Sequence, residues 1–276
     1  MGFDHLPSPA AIVSSSTLLQ QVVNISREAG QAIMQVYGTE FTVDRKADES
    51  PLTEADRQAH DVIVAGLGRL DPKLPVLSEE SAPGVMAERL AWERYWLVDP
   101  LDGTKEFVKR NGEFTVNIAL IEHHRAVLGV VHAPVLDTDY FGALQAGAWM
   151  RRAGQPAIPI SVQKPAREIP VVVGSRSHRG RSLDRLLQRL GPHKLVAMGS
   201  SLKICLVATG EADFYPRLGP TSEWDTAAAH AVLESAGGSM LDLNGDPLRY
   251  NKTDILNPHF LAFGDDAVNW LELGDA

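Results

Sequence analysis

The run Trp96-Leu-Val-Asp99-Pro-Leu-Asp102-Gly-Thr104 constrains this chain more than any other stretch. An apolar strand over 95–98 leads into two aspartates separated by Pro100 and Leu101, and Gly103 and Thr104 follow where a helix is predicted to start. Two carboxylates at a strand end suit a hard cation such as Mg²⁺, which takes oxygen ligands and keeps part of its water. Free N–H groups at a helix start suit a phosphate. Metal beside phosphate on one turn points to phosphoryl chemistry. Taken alone, Asp-Pro and Asp-Gly are also ordinary turn formers, so the chemical reading depends on acids supplied elsewhere.

Length and composition narrow the partners. A chain of 276 residues buries one large core or two smaller ones. With 44% apolar and 22% charged residues it reads as an ordinary globular protein. Its net charge of −9 argues against a nucleic-acid polymer as partner, because no basic stripe exists to displace counterions. A small phosphorylated substrate is compatible with that charge. The single cysteine, Cys205, lies in an apolar helical run and leaves no intramolecular disulfide. No charged-then-apolar leader and no apolar run of ~18 residues is present. The expected location is the cytoplasm, with peripheral association at the inner face of the membrane left open. Oligomeric state is not legible.

Apolar residues at helical spacing predict a helix over 17–36, after a loose leader over 1–14. A strand is expected over 41–47, a turn at Asp48-Glu-Ser-Pro51, a helix over 53–70 and a short strand at 75–77. Segments 114–122, 126–132, 138–144 and 147–151 read as successive strands of an antiparallel sheet. A Gly- and Pro-containing connection over 154–159 divides the chain into an α+β half (1–155) and an α/β half (156–276) that form one catalytic unit. The second half alternates: strand 169–173, helix 182–190, strand 194–198, helix 201–209, strand 212–216 and helix 225–236. A hairpin at Asn244-Gly245, a strand over 259–263 and a C-terminal helix from Asp265 complete it. Such an order predicts helices layered between two sheets.

Four acidic segments recur at element ends. They are Thr53-Glu-Ala-Asp56, with capping-box spacing at a helix start; Ser78-Glu79-Glu80-Ser81; Asp99-Pro-Leu-Asp102-Gly-Thr104; and Trp224-Asp225-Thr226, where Asp225 is expected to cap a helix ending at Gly237-Gly238. In order and spacing they resemble the inositol monophosphatase superfamily of Mg²⁺-dependent, lithium-sensitive phosphatases, over residues 17–263. The run from Leu97 to Leu120, with Ser175-Arg-Ser-His178, Gly199-Ser-Ser-Leu-Lys203 and Tyr215-Pro-Arg217, looks most like the CysQ-type 3′(2′),5′-bisphosphate nucleotidases.

The resemblance implies a layered α/β/α/β/α sandwich and two or three Mg²⁺ ions per site. Glu79, Asp99, Asp102, Asp225 and the Leu101 carbonyl are then the metal ligands. Asp56 and Thr104 are the catalytic pair that orients and helps deprotonate water. Glu79, Leu101, Asp102, Gly103, Thr104 and Asp225 face the reacting phosphate, while Ser201, Lys203 and Arg217 hold the 5′-phosphate and His178 lines the adenosine pocket. The implied reaction converts adenosine 3′,5′-bisphosphate (PAP) to AMP and phosphate, and also PAPS to APS, in sulfur metabolism. Arg217 stands where inositol phosphatases of the superfamily carry a sugar-reading glutamate, which favours a second phosphate. Two alternatives stay open: an inositol-1-phosphate or sugar-phosphate phosphatase, and a non-catalytic nucleotide-binding member. No paired zinc spacing, Walker A run or Rossmann fingerprint is found.

Overall fold

Strands whose two faces are both apolar must be covered on both sides, and the central strands of this chain are of that kind. Along 95–98, Tyr95 and Leu97 join one core while Trp96 and Val98 join another; along 116–121, Ala119 and Ile121 part in the same way from Val116, Ile118 and Leu120. The computed structural model describes residues 9–45, 51–176 and 181–273. Within them the helices are α1 (Pro9–Tyr37), α2 (Glu54–Leu67), α3 (Pro83–Glu88), α4 (Thr104–Val108), α5 (Arg181–Leu190), α6 (Leu202–Ala208) and α7 (Glu223–Ser235). The strands of the first half are β1 (Val43–Arg45), β2 (Pro51–Thr53), β3 (Val76–Ser78), β4 (Arg94–Asp102), β5 (Thr115–Glu122), β6 (Arg125–Ala133), β7 (Thr138–Ala143), β8 (Gly147–Arg152) and β9 (Ile158–Ile160). Those of the second are β10 (Val171–Ser175), β11 (Lys194–Met198), β12 (Phe214–Arg217), β13 (Ser239–Asp242) and β14 (Phe260–Phe263).

Two large sheets result. A seven-stranded sheet runs β3-β4-β5-β6-β7-β8-β9, antiparallel except for the parallel pair β3–β4. A five-stranded sheet runs β11-β10-β12-β14-β13, parallel at β11-β10-β12 and antiparallel beyond. Helices α1 and α2 cover the outer face of the first sheet, α6 and α7 fill the space between the sheets, and α5 covers the outer face of the second. The layer order is α/β/α/β/α, the fold the sequence implies. No helix among the described residues is long and apolar enough to cross a membrane.

Several elements differ from the sequence expectation. Helix α1 starts at Pro9, inside the expected leader, and the strand expected over 41–47 is the short β1, paired antiparallel with β2. The hexapeptide α3 was not anticipated, nor was β9, which pairs with β8 and carries the seven-stranded sheet past residue 155. Pro159 is tolerated there because β9 is an edge strand. The C-terminal helix from Asp265 does not form; only a 3₁₀ turn at Trp270–Leu273 is present. The Asp265 carboxylate accepts from the N–H groups of Ala166 (2.9 Å) and Ala267 (3.1 Å), and the Trp270 indole donates to the Asp265 carbonyl (3.0 Å). These local bonds compete with a helical ladder, and Trp270 stacks on Phe214 with ring centroids 4.7 Å apart.

Candidate active site

Parallel pairing of β3 with β4 makes their ends coincide. Ser78 pairs with Val98, and the Glu79 N–H donates to the Val98 carbonyl at 3.1 Å, so Glu79 stands beside Asp99. Alternation along a regular strand would send Asp99 and Asp102 to opposite faces. In β4 the register slips: Asp99 pairs with Asn117 but Asp102 with Thr115, three steps against two. This bulge returns both aspartates to one face, and Pro100, lacking an N–H, belongs in it. The Leu101 N–H donates to Asp99 Oδ1 at 3.0 Å and fixes the inner carboxylate. Gly103 follows at φ +89°, a left-handed conformation with the Glu113 carbonyl 3.1 Å from where a Cβ would stand. The chain there turns into α4.

The opposing acid comes from the second half. Helix α7 opens with a capping box in which Ser222 is the cap and Asp225 its reciprocal acid, Asp225 Oδ2 accepting from the Ser222 N–H at 2.9 Å. Asp225 is therefore three residues inside the cap position expected for it, because Ser222 satisfies the same four-residue pattern. Burial, then the charges of Asp102 and Glu79, push the Asp225 carboxyl up to about 8. That repulsion is what a hard cation among oxygen donors relieves, so the acids fit Mg²⁺ in charge and donor type. Among the described residues no three acid, histidine or cysteine side chains close into a ready-made metal cage. Asp99, Asp102 and Asp225 instead accept from nearby N–H and O–H donors.

Asp102 shows this most clearly. Its Oδ2 accepts from the Ser201 N–H (2.6 Å) and the Ser200 hydroxyl (2.6 Å), both in the loop before α6. Ser200 holds φ +53° in that loop. Its hydroxyl meets Thr115 Oγ1 at 2.5 Å, and Ser201 Oγ donates to Asn117 Oδ1 at 2.9 Å. One residue upstream, the Gly199 N–H donates to Glu113 Oε2 at 2.7 Å, and a Cβ on Gly199 would lie 2.8 Å from the Glu113 carbonyl. Arg176 clamps the same carboxylate with two bonds, 2.7 and 2.6 Å, and reaches the Ala197 carbonyl at 2.9 Å. Two strand ends of the second sheet are thus tied to the loop that orients an acid of the first. Sequence reasoning gave Ser200, Thr115, Asn117 and Glu113 no role, although the first lies in the Gly199–Lys203 run and the others in the Leu97–Leu120 run that carry the resemblance.

Two cations share the pocket with the acids. Lys203 is buried, donates to the Ser200 carbonyl and lies 5.7 Å from the Tyr215 ring centre. Burial pulls its ammonium down to about 8, against the pull of Asp102. Arg217 donates to the Pro220 carbonyl at 2.7 Å, while its buried Nε has no hydrogen-bond partner among the described residues. Burial also pushes the Tyr215 phenol up to about 12, leaving it a neutral donor.

Glu79, Asp102, Gly103, Thr104, Ser201, Lys203, Arg217 and Asp225 all line one cleft of about 230 Å³. Asp99 and Asp56 are buried and do not line it, and Leu101 is buried with its carbonyl 3.3 Å from the Thr104 hydroxyl. Asp56 serves the capping box expected for it: its Oδ2 accepts from the Thr53 N–H (2.7 Å) and hydroxyl (2.6 Å). The hydroxyl of Thr104 is bonded to Leu101 rather than to Asp56, although β2 packs against α4. His178 lies outside the described residues.

Comparison with known proteins places the chain in a family. The family model "Inositol monophosphatase family" matches residues 14–267. The 3′(2′),5′-bisphosphate nucleotidase CysQ of Escherichia coli (strain K12) is 53% identical over 247 residues, covering 88% of this chain and 98% of that protein. The crystal structure of CysQ from Bacteroides thetaiotaomicron, described as a bacterial member of the inositol monophosphatase family, aligns with TM-score 0.80 at 41% identity, covering 90% of this chain and 97% of that one. An IMPase/NADP phosphatase complexed with Mg²⁺ and phosphate shares the fold at TM-score 0.76 and 19% identity, covering 96% of this chain and 97% of that one. The chain belongs to the inositol monophosphatase family.

Proposed function

We propose that this protein is a 3′(2′),5′-bisphosphate nucleotidase that hydrolyses the 3′-phosphate of PAP, giving AMP and phosphate. The observation that carries the reading is one cleft that gathers carboxylates together with a buried lysine and an arginine whose Nε is unpaired. Carboxylates suit a metal-bound phosphate and the two cations suit a second one. The CysQ relative from Escherichia coli bears this activity in its name.

Glu79, Asp99, Asp102, Asp225 and the Leu101 carbonyl would hold Mg²⁺, and two or three ions match the number of carboxylates. Bound there, Mg²⁺ supplies charge neutralisation for the reacting phosphate, its nucleophile and its leaving oxygen. Thr104 and Asp56 are the pair that orients the attacking water and takes its proton, Asp56 being fixed by Thr53. Gly103 and Thr104 present backbone N–H groups to the phosphate, but α4 is a five-residue helix, so direct hydrogen bonds outweigh any dipole. Ser201, Lys203 and Arg217 hold the remote 5′-phosphate, with His178 toward the adenosine. Cleavage of PAPS to APS uses the same contacts, and both reactions belong to sulfur metabolism. The cytoplasm is the proposed location; the net charge of −9 opposes an anionic membrane surface.

The deciding experiment compares hydrolysis of PAP with that of inositol 1-phosphate under saturating Mg²⁺, with an EDTA-treated control. PAP should be preferred and the treated enzyme inactive. Preference for inositol 1-phosphate would replace the substrate assignment, and full activity after EDTA treatment would remove the metal from it.

A further inference from the structure

Asp225 sits in the first turn of α7, and one asparagine holds that turn on both sides of it. Asn257 is 8% exposed. Its N–H donates to the Thr221 carbonyl at 2.8 Å. Its Nδ2 donates to the Ser222 carbonyl at 2.8 Å, the Thr226 hydroxyl at 3.0 Å and the Thr221 hydroxyl at 3.3 Å. A carbonyl only accepts, so the Ser222 contact fixes which end of the amide is nitrogen. Thr221, Asp225 and Thr226 all line the cleft. The link to Asp225 itself runs through residue 222, whose carbonyl accepts from Asn257 and whose N–H donates to Asp225 Oδ2 at 2.9 Å.

The other end of the amide carries a cost. Asn257 Oδ1 is buried and has no hydrogen-bond partner among the described residues. An unsatisfied buried acceptor is unfavourable, and an apolar side chain of similar shape would avoid it. Fold stability alone is a poor reason for an amide here; the three acceptors on the first turn of α7 are a better one.

The segment that carries Asn257 is itself anchored. Ser222 and Leu256 form an antiparallel bridge, and the Glu223 N–H donates to the Ile255 carbonyl at 3.0 Å. The buried Glu223 carboxylate accepts from the Asn251 N–H (2.7 Å) and the Lys252 N–H (3.0 Å). Asn251 exchanges hydrogen bonds with Arg89, its Oδ1 accepting from Nη1 at 3.0 Å and its Nδ2 donating to the Arg89 carbonyl at 2.9 Å. Arg89 lies in the connection between β3, which leads into Glu79, and β4, which carries Asp99. Segment 251–257 thus links the start of α7 to the connection between those strands.

We propose that Asn257 is a positioning residue for the reaction, holding residue 222 and Thr226 so that the Asp225 carboxylate meets the metal in a fixed orientation. This role rests on Asp225 being a metal ligand.

Mn²⁺ binding to the full chain, followed by electron paramagnetic resonance without substrate, tests it. Asn257→Leu and Asn257→Ala should each weaken Mn²⁺ binding by about tenfold, the lower end of the loss when a metal ligand loses its supporting hydrogen bonds. Leu186→Ala, in the core under α5, should lower Tm without touching the first turn of α7 and leave Mn²⁺ affinity unchanged. Affinity that falls with Tm in all three variants, or that is unchanged in either Asn257 variant, would overturn the role. Thr226→Val keeps its side-chain shape, removes one acceptor of the amide and should also weaken Mn²⁺ binding. If neither Asn257 variant folds, unchanged affinity in Thr226→Val overturns the role instead. Asp225→Asn separates the two layers of the argument. Mn²⁺ binding indifferent to Asp225→Asn removes the metal reading, whereas binding that depends on Asp225 but not on Asn257 removes only the positioning role.

Discussion

Lys203 and Asp225 line the same cleft, and burial shifts them from opposite ordinary values toward the same pH. For Lys203 the folded value, about 8, lies below the unfolded one, so its contribution to stability is present at high pH and is lost as pH falls through about 8. For Asp225 the folded value, also about 8, lies above the unfolded one, so its contribution is present in acid and is lost as pH rises through about 8. Ionised Asp225 repels Asp102 and Glu79, and Mg²⁺ relieves that repulsion. Thermal unfolding should therefore show Mg²⁺ raising Tm more at about pH 9 than at about pH 6; an equal rise at both would remove Asp225 from the metal site. At Arg217 the outcome is substrate-dependent. Arg217→Ala should weaken kcat/KM for PAP by about 1.5–3 kcal/mol, the range for a charged hydrogen bond, and scarcely change 3′-AMP hydrolysis. Equal losses on both substrates would mean that Arg217 is structural or touches the scissile phosphate. The acids stood out in the sequence because they sit at element ends with recognisable spacing, whereas Lys203 and Arg217 were named only through the family resemblance. Ser200 and Glu113 did not stand out, because their partners are 98 and 86 residues away in sequence.

At the scale of elements, the site depends on a loop that neither sheet owns. Gly199, Ser200 and Ser201 follow β11, yet they are held by Glu113 from the turn before β5 and in turn hold Asp102 of β4. Glu113→Ala removes the acceptor for Gly199 and for both Arg176 bonds. Its expected effect is a higher Mg²⁺ concentration for half-maximal activity, with direct Mn²⁺ binding weakened in parallel. Glu113→Gln keeps an oxygen for Gly199 and should recover much of the loss. If Mn²⁺ binding is unchanged in both variants, the clamp does not position Asp102. Helix α7 offers a contrast: Ser222→Ala should cost about 1 kcal/mol of stability, the usual value of a lost cap, while leaving the Asp225 carboxylate bonded to the backbone N–H of residue 222. The sequence made helices with strong periodicity and caps easy to see, as at Thr53 and Asp56. It hid elements decided by tertiary contacts: β9 forms by adding to β8, and the C-terminal segment is drawn by Trp270 onto Phe214 instead of coiling from Asp265.

The whole molecule is organised around α7, whose start carries Asp225 and whose alanine-rich body lies against the seven-stranded sheet of the other half. Ala227, Ala228, Ala229 and Ala231 are all buried there, and a Cβ added at Gly129 of β6 would run into the Ala228 carbonyl. Helix and sheet approach this closely only because both surfaces are small. The distance from Asp225 to Asp102 is therefore set by packing well away from either, and we propose that the two halves unfold as one unit. Denaturant unfolding followed by far-UV circular dichroism and by tryptophan fluorescence should give one coincident transition, since Trp96 and Trp270 are buried in different cores of the two halves. Gly129→Ala tests the coupling directly. Overpacking of this kind costs about 1–3 kcal/mol, and because relief requires α7 to move off the sheet, Mg²⁺ affinity should fall together with Tm. Gly84→Ala is the control, for a Cβ at Gly84 meets nothing within 4 Å and should leave both unchanged. A Gly129→Ala protein with lowered Tm but unaltered Mg²⁺ affinity would show that the acids find their spacing locally, through the Ser201 and Ser222 bonds. The architecture would then act as a support for the site rather than as its ruler.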